Sequence, residues 1–176
     1  MWPEKIDYCL STPTKAVIFG TNVQVDFKLI PLLKGLRIGK ITTELNEKQD
    51  IKIRGTRNPS RSRHMTRLIV RDEHLLPDDV ETEDIEGQEG YVFSRSLRLP
   101  QSLKHCVQTV EALGIKIRHY LSFNIQMHNP DGHVSEVSAI VGDAEPDLLL
   151  TTTSSMPHFL YTSSSLQICP LTITTT

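Results

Sequence analysis

The sequence predicts an all-β fold, an immunoglobulin-like antiparallel β-sandwich, and one long alternating segment is the main reason. Apolar residues occupy every second position from Ile115 to Met127, and His119 is the one interruption. A period of two is typical of a strand with one buried face and one exposed face. The turn sequence Asn-Pro-Asp-Gly at 129–132 and the apolar residues from Val134 onwards then predict a return strand. Because strands this long suit a large sandwich, the hairpin favours a binding module over a small enzyme.

The remaining strands follow from shorter apolar alternations, taken in the order of the chain. They are predicted at residues 6–10, 16–19, 23–29, 36–53, 68–70 and 91–99. Within the fourth of these the alternation slips by one position near Gly39 and Lys40, which predicts a β-bulge. Helices do not alternate with these strands, so a parallel βαβ sheet is not expected.

One segment departs from the strand pattern and predicts a short helix or helical turn. Its apolar residues recur at helical spacing, at Leu103, Val107, Val110 and Leu113. A serine at position 102 suits a helix cap, and a glycine at position 114 suits a helix end.

The bulk properties of the 176 residues favour a cytoplasmic protein without cofactors. The formal charge of -2 gives no general reason to expect nucleic acid as a partner. Cys9, Cys106 and Cys169 are far apart and form no CxxC pair, so we expect free thiols in a reducing compartment and no zinc site. No signal peptide and no apolar run of about 18 residues is recognisable.

Composition divides the chain into two parts. Residues 1–141 are predicted to form one incomplete sandwich domain. Residues 142–176 contain no Asp, Glu, Lys or Arg after Asp147 and consist largely of short Leu, Thr and Ser repeats. Such low complexity without a sustained period predicts a disordered or non-native tail.

Several separate motifs resemble the C-terminal arrestin domain of the fungal α-arrestins, the arrestin-related trafficking adaptors. The most specific is the strand-turn-strand sequence VDFKLIPLLKGLRIG at 25–39. WPEKIDY at 2–8, STPTKAV at 11–17, GIKIRH at 114–119 and HNPDGHVSE at 128–136 match the same domain in the same order. The resemblance covers residues 1 to 139 and is most specific to the ubiquitin-ligase-interacting arrestins linked to carbon catabolite repression.

The resemblance implies a non-enzymatic adaptor. Family members link the cytoplasmic tails of membrane transporters or receptors to a HECT-type ubiquitin ligase, so that the cargo is ubiquitinated and endocytosed. This role implies a cytoplasmic protein, peripheral at the plasma membrane or endosomes. The sequence contains neither the family's N-terminal arrestin domain nor a Pro-Pro-x-Tyr motif for the ligase. We therefore expect a fragment with a truncated sandwich, whose tail is not native arrestin sequence.

A basic run supplies the candidate binding residues. The proposed contacts to an anionic partner are Arg54, Arg57, Arg61, Arg63 and Arg67. Guanidinium groups pair well with phosphate, so an anionic lipid or phosphoprotein is the alternative partner. The sequence around Ser60 and Ser62 suits a basophilic kinase, and phosphate there would reduce the local positive charge. The null hypothesis is a solvated strand edge beside the acidic run 72–89, which we expect to form a mobile loop.

Catalytic and metal-binding hypotheses find little support. Cys9 or Cys106 could pair with a histidine, but no nucleophile elbow or phosphate loop is present. His128 and His133 flank the hairpin turn without the third and fourth ligands that a metal needs. We expect no catalytic residues, no cofactor and no metal, and we interpret His119 as a hydrogen-bonded core or rim histidine.

Overall fold

Twelve β-strands make up the regular structure of the described residues. The computed structural model describes residues 5–14, 16–53, 61–76, 82–85, 87–141, 149–151 and 166–168. The strands are β1 (Ile6–Thr12), β2 (Ala16–Ile18), β3 (Asn22–Pro31), β4 (Arg37–Ile53), β5 (Arg61–Leu75), β6 (Glu83–Ile85), β7 (Gln88–Arg98), β8 (Val110–Ala112), β9 (Ile115–His128), β10 (Val134–Val141), β11 (Leu149–Thr151) and β12 (Leu166–Ile168). This part of the chain contains no helix, which confirms the predicted all-β class.

Two antiparallel sheets pack face to face around the core. One has the strand order β12-β1-β3-β7-β6 and the other β10-β9-β4-β5, with β8 paired to β9. A separate parallel pairing joins β2 to β11. Alternate residues of β3, β4 and β9 point inwards, and Phe27 and Phe123 meet edge to face at 5.7 Å between them. Each large apolar side chain buried in this way contributes about 1.5–3 kcal/mol.

Two register shifts in the pairing of β4 with its neighbouring strands decide which side chains reach the core. The register between β4 and β9 shifts between Ile38 and Ile41, at the site of the predicted bulge. A second shift, which the sequence did not predict, lies between Leu45 and Asn46 in the pairing of β4 with β5, where Ile69 of β5 is the extra residue. Since an extra residue changes the face of every later side chain, Arg67 lies on the inner face of the sheet and Arg71 on the outer face.

The predicted helix is wrong, although the hypothesis of a helical turn holds for its first residues. The backbone N–H groups of His105 and Cys106 donate to the Ser102 carbonyl, which closes one turn. The chain then extends as β8 and pairs with β9 from Val110 onwards. The apolar residues at helical spacing do not share a buried face, because Leu113 is 102% exposed at the tip of the next turn. Pairing with β9 satisfies the backbone of this segment and overrides its helical pattern.

Some residues after position 141 pair with the sandwich. Leu150 is fully buried in the core, and its N–H donates to the Thr109 hydroxyl at 3.0 Å. The rest of the predicted tail, other than β11 and β12, lies outside the described residues, so the boundary at 141 stays a prediction. Free thiols were expected throughout; Cys106 is free and buried, whereas for Cys9 the expectation is wrong, because it is disulfide-bonded.

Candidate functional site

The end of β4 and the start of β5 project beyond the facing sheet, which has the strand order β12-β1-β3-β7-β6. The first six residues of β5, Arg61 to Thr66, are all exposed, and so are Lys52 and Ile53 at the end of β4. Side chains of a strand alternate between its two faces, so exposure at consecutive positions means that neither face is covered. This projecting part of the β4–β5 hairpin is therefore open to a partner from both sides.

Three cations at this end lack acidic partners. Lys52, Arg61 and Arg63 are exposed, and no carboxylate among the described residues forms an ion pair with them. We call them the basic tip. Arg61 and Arg63 lie on the inner face of the sheet, opposite Ile53 and Ile51. Predicted site residues Arg54, Arg57 and Ser60 lie outside the described residues, whereas Ser62 is exposed between the two arginines.

Arg67, the last arginine of the basic run, and Arg71, further along β5, are both paired with carboxylates of β4. Arg71 donates to Glu44 at 2.8 Å on the outer face. Arg67 donates to both carboxylate oxygens of Glu47, at 2.9 and 3.0 Å, on the inner face. The prediction that Arg67 is available to an anionic partner therefore does not fit its position. The acidic run is not one loop either, since Asp72 lies within β5 and binds Arg95 at 3.0 Å.

Arg67, Glu47 and His119 lie side by side on β5, β4 and β9, and we call them the polar rung. The side chains of Glu47 and His119 are fully buried. Each oxygen of Glu47 accepts two hydrogen bonds: Oε1 from Arg67 and Gln49, and Oε2 from Arg67 and the backbone N–H of Val107 at 2.8 Å. Burial alone would raise the pKa of Glu47, but these hydrogen bonds and the Arg67 charge lower its pKa overall.

The polar rung holds the 101–109 segment onto the sheet. Glu47 binds the Val107 N–H, and the Thr109 hydroxyl lies 3.0 Å from His119 Nδ1. Nε2 of His119 lies 3.6 Å from the Cys106 sulfur and 3.4 Å from Glu47 Oε2. Burial lowers the pKa of His119, so its imidazole is neutral at neutral pH. The interpretation of His119 as a hydrogen-bonded histidine is thus confirmed, with a place in the core.

Glu47, Cys106 and His119 also form the one group of potential metal ligands found within the described residues. Burial first, and the Glu47 charge second, raise the pKa of the Cys106 thiol to about 12. A thiol held in its protonated form is a weak ligand and a weak nucleophile. The Glu47 charge is already balanced by Arg67, so an added cation would meet a guanidinium. These side chains therefore act as structural contacts between the loop and the sheet.

The partnership of Glu47 with His119 was not predicted, although the sequence contains a signal for it. Thr43, Leu45 and Glu47 follow one another on inward positions of β4, so a carboxylate interrupts the core face. His119 interrupts the core face of β9 in the same way. Two polar interruptions on neighbouring strands are expected to pair, because a buried charge needs a partner. What the sequence does not contain is the register that aligns them.

A sandwich with an open, basic sheet end and with its titratable cluster buried has the character of a binding module. Comparison with known proteins then identifies its family. Residues 2–141 match the family described as arrestin (or S-antigen), C-terminal domain, and the chain belongs to this family.

The chain is also similar to curated fungal proteins. The chain is 53% identical over 143 residues to the probable HECT-type ubiquitin ligase-interacting protein creD of Neosartorya fischeri. It is 50% identical over 143 residues to the HECT-type ubiquitin ligase-interacting protein creD of Emericella nidulans. Each match covers 79% of this chain and 24% of the relative, so the chain spans about a quarter of the length of these proteins.

Among solved structures, the Bacillus subtilis sporulation control protein Spo0M is similar with a TM-score of 0.44 and 10% identity, over 84% of this chain and 49% of the other. Within the described residues, no helix has the length and apolar character needed to cross a membrane.

Proposed function

We propose that this chain is the cargo-binding part of a non-enzymatic arrestin-type adaptor, which links membrane transporters to a HECT-type ubiquitin ligase for ubiquitination and endocytosis. The observation that carries the proposal is the 53% identity over 143 residues to a relative whose name states an interaction with such a ligase. The role places the protein in the cytoplasm, peripheral at the plasma membrane or endosomes. Cargo and ligase are proposed partners, and no nucleic acid, metal or cofactor is included.

Charge suggests where the cargo binds. Lys52, Arg61 and Arg63 are exposed cations at one end of the sheet, and no acidic partner for them lies within the described part of the chain. An acidic segment in the cytoplasmic tail of a transporter is the complementary ligand, because opposite potentials steer association and exclude wrong partners. Phosphorylation of Ser62 would place negative charge beside Lys52 on the outer face, next to the two arginines in the chain, and weaken such binding. The sequence has no Pro-Pro-x-Tyr motif, so this chain binds cargo without recruiting the ligase through that motif.

The cargo site can be tested by fluorescence anisotropy with an acidic transporter-tail peptide and its Asn/Gln counterpart. We expect salt-sensitive binding of the acidic peptide only. Arg63→Glu should weaken it about three- to tenfold, since surface ion pairs contribute about 0.2–1 kcal/mol each and reversal adds repulsion. Lys34→Glu makes a matched charge change in the turn at the opposite end of β4 and should leave binding unchanged. Equal effects of the two variants would contradict a site at the basic tip.

The adaptor role is tested in cells by fluorescence microscopy of a tagged transporter. A longer protein that contains this chain should support internalisation of the transporter when its preferred substrate is added. Deletion of the arrestin domain that this chain represents should keep the transporter at the plasma membrane, and normal internalisation after that deletion would contradict the role.

One observation favours a second candidate function, binding of an anionic membrane surface. Leu113 is fully exposed, and Ile53 and Ile115 are 57% and 41% exposed close to the basic tip. Gly114 and Ser62 lie on either side of Lys52, so two strand spacings, about 10 Å, separate them. Leu113 precedes Gly114, and Arg61 and Arg63 flank Ser62, so the apolar side chain and the arginines are separated by a similar distance. Apolar side chains beside cations suit an anionic lipid interface. Membrane binding would be favoured over cargo recognition if the chain co-sediments with phosphatidylserine vesicles, loses this binding in the Arg63→Glu variant, and does not bind the acidic peptide.

A further inference from the structure

The outer edge of β5 has no strand partner among the described residues, and it runs along the basic tip. β5 has 15 residues and ends the strand order β10-β9-β4-β5. Its only strand partner within the described ranges is β4. A terminal strand presents backbone N–H and C=O groups that can pair with a further strand. Here the first six residues of that edge are exposed on both faces of the sheet.

The hydrogen-bond pattern identifies the backbone groups that point outwards. The Lys52 N–H donates to the Gly114 carbonyl at 2.7 Å, so the Lys52 backbone faces away from β5. Ser62 lies opposite Lys52. In an antiparallel ladder, pairs whose backbone groups turn away from each other alternate with hydrogen-bonded pairs. The N–H and C=O groups of Ser62, and by alternation those of His64 and Thr66, therefore point to the open edge.

We infer that an extended acidic segment of a partner chain adds to this edge as a further strand. Ser62, His64 and Thr66 offer three donors and three acceptors to its backbone. Arg61 and Arg63 flank Ser62 on the inner face, about 7 Å apart along the strand, which matches carboxylates at alternate positions of an added strand. The inference rests on the proposed function, and it specifies how the cargo segment is held.

Two other occupants of this edge are ruled out by length and charge. The chain's own acidic residues 77–81 follow β5 directly, but five residues span at most about 18 Å. Ser62 lies about 43 Å back along β5 from Leu75, beyond their reach. A second copy paired antiparallel over Ser62, His64 and Thr66 would place Arg61 opposite Arg67 of the other copy, and like charges directly opposite each other are destabilising. A separate acidic chain avoids both obstacles.

The test uses one acidic peptide in three forms, measured by fluorescence anisotropy with the 176-residue chain. The peptide has glutamate at alternate positions with threonine and valine between them. Two further forms carry N-methyl groups on three alternate amides, one form for each edge of the extended peptide. All three peptides have the same charge, so if binding is purely electrostatic, the two methylated forms should bind with equal affinity. Strand addition predicts at least tenfold weaker binding for one methylated form and binding within about threefold for the other.

A matched pair of protein variants tests the same edge from the other side. His64→Pro removes an outward N–H without removing a donor to β4, and His64→Ala is its control. We expect at least a fivefold loss for His64→Pro relative to His64→Ala, with both variants folded by circular dichroism. Hydrogen exchange should also show protection of the Ser62 and Thr66 amides on binding.

The outcomes separate this inference from the proposed function. Equal binding of both methylated peptides, with binding still lost in an Arg61→Glu/Arg63→Glu variant, would overturn strand addition and leave the basic tip as the cargo site. If the unmethylated peptide fails to bind at low salt, strand addition and the basic tip are both overturned. The adaptor role would still be decided by transporter internalisation.

Discussion

The polar rung predicts a large difference between two similar substitutions on β4. Glu47 and Glu44 both pair with an arginine of β5, Glu47 on the inner face and Glu44 on the outer face. The side chain of Glu47 is fully buried, whereas that of Glu44 is 25% exposed and its partner Arg71 is 53% exposed. Replacement of each glutamate by glutamine keeps the volume of the side chain and removes its charge. The comparison therefore isolates the contribution of a buried carboxylate.

The cost of Glu47→Gln follows from its hydrogen bonds. Each Glu47 oxygen accepts from two donors, so an amide NH₂ in either position faces two donors and accepts from neither. Loss of one member of a buried ion pair typically costs about 3–5 kcal/mol, and Arg67 reduces this because it can turn towards water. We expect a loss of about 2–4 kcal/mol in the free energy of unfolding. Glu44→Gln should cost about 0–1 kcal/mol.

Urea denaturation at neutral pH measures both variants. With a urea dependence of about 2 kcal/mol per molar, Glu47→Gln should lower the midpoint by roughly 1–2 M. Hydrogen exchange at the Val107 amide should also become faster, because its acceptor is weakened. A loss below about 1 kcal/mol, or a loss equal to that of Glu44→Gln, would refute the view that Glu47 holds the 101–109 segment onto the sheet.

Three further predictions concern the same end of the molecule. Burial lowers the pKa of His119 in the folded state, so below about pH 6.5 the unfolded chain binds more protons than the folded chain. The free energy of unfolding therefore decreases as the pH is lowered through this range, by at most about 1.4 kcal/mol per pH unit. His119→Gln should make the free energy of unfolding less dependent on pH between pH 7 and 5.5. An unchanged pH dependence in urea titrations would contradict this role of His119. Cys106, with its pKa raised to about 12, should resist iodoacetamide at pH 8 in the native chain and react faster in Glu47→Gln; rapid native labelling seen by peptide mass spectrometry would contradict its burial. Leu113 has a φ of 51° before Gly114 at 84°, so Leu113→Asn should stabilise the turn by about 0.5–1 kcal/mol and reduce vesicle binding; destabilisation would show that Leu113 has an unrecognised packing role.

Much of the fold could be predicted because local pattern and tertiary environment agree in most strands. The alternation from Ile115 to Met127 matches alternating burial along β9, and the phase slip near Gly39 matches a register shift. The exception is the segment from Ser102 to Leu113, whose helical spacing was overridden by pairing with β9. Its partner strand β9 follows it directly in the sequence. The backbone groups of β9 that favour an extended neighbour are nevertheless a property of the folded sheet, and the sequence of the segment does not show them.

The candidate site was predicted less completely. Its arginines are neighbours in the sequence, but the carboxylates that pair with some of them lie on another strand. The arginine run indicated a basic surface, yet the sequence could not separate the exposed Arg61 and Arg63 from Arg67, which binds a buried glutamate. That distinction depends on the bulge at Ile69 of β5 and on the position at which the facing sheet ends. Neither feature has a signature within the run.

The sequence by itself determined the all-β class, the positions of most strands and the presence of a basic segment, while its motifs resemble those of the family to which the chain belongs. These properties depend on periodicity and residue type, which are read along a single stretch of chain. Only the tertiary structure decided which side chains meet: the alignment of Arg67, Glu47 and His119, the closed environment of Cys106, and the open edge of β5. The physical reason is that strand register and sheet order join residues far apart in the chain, and one extra residue in a strand moves a charge from solvent to the core.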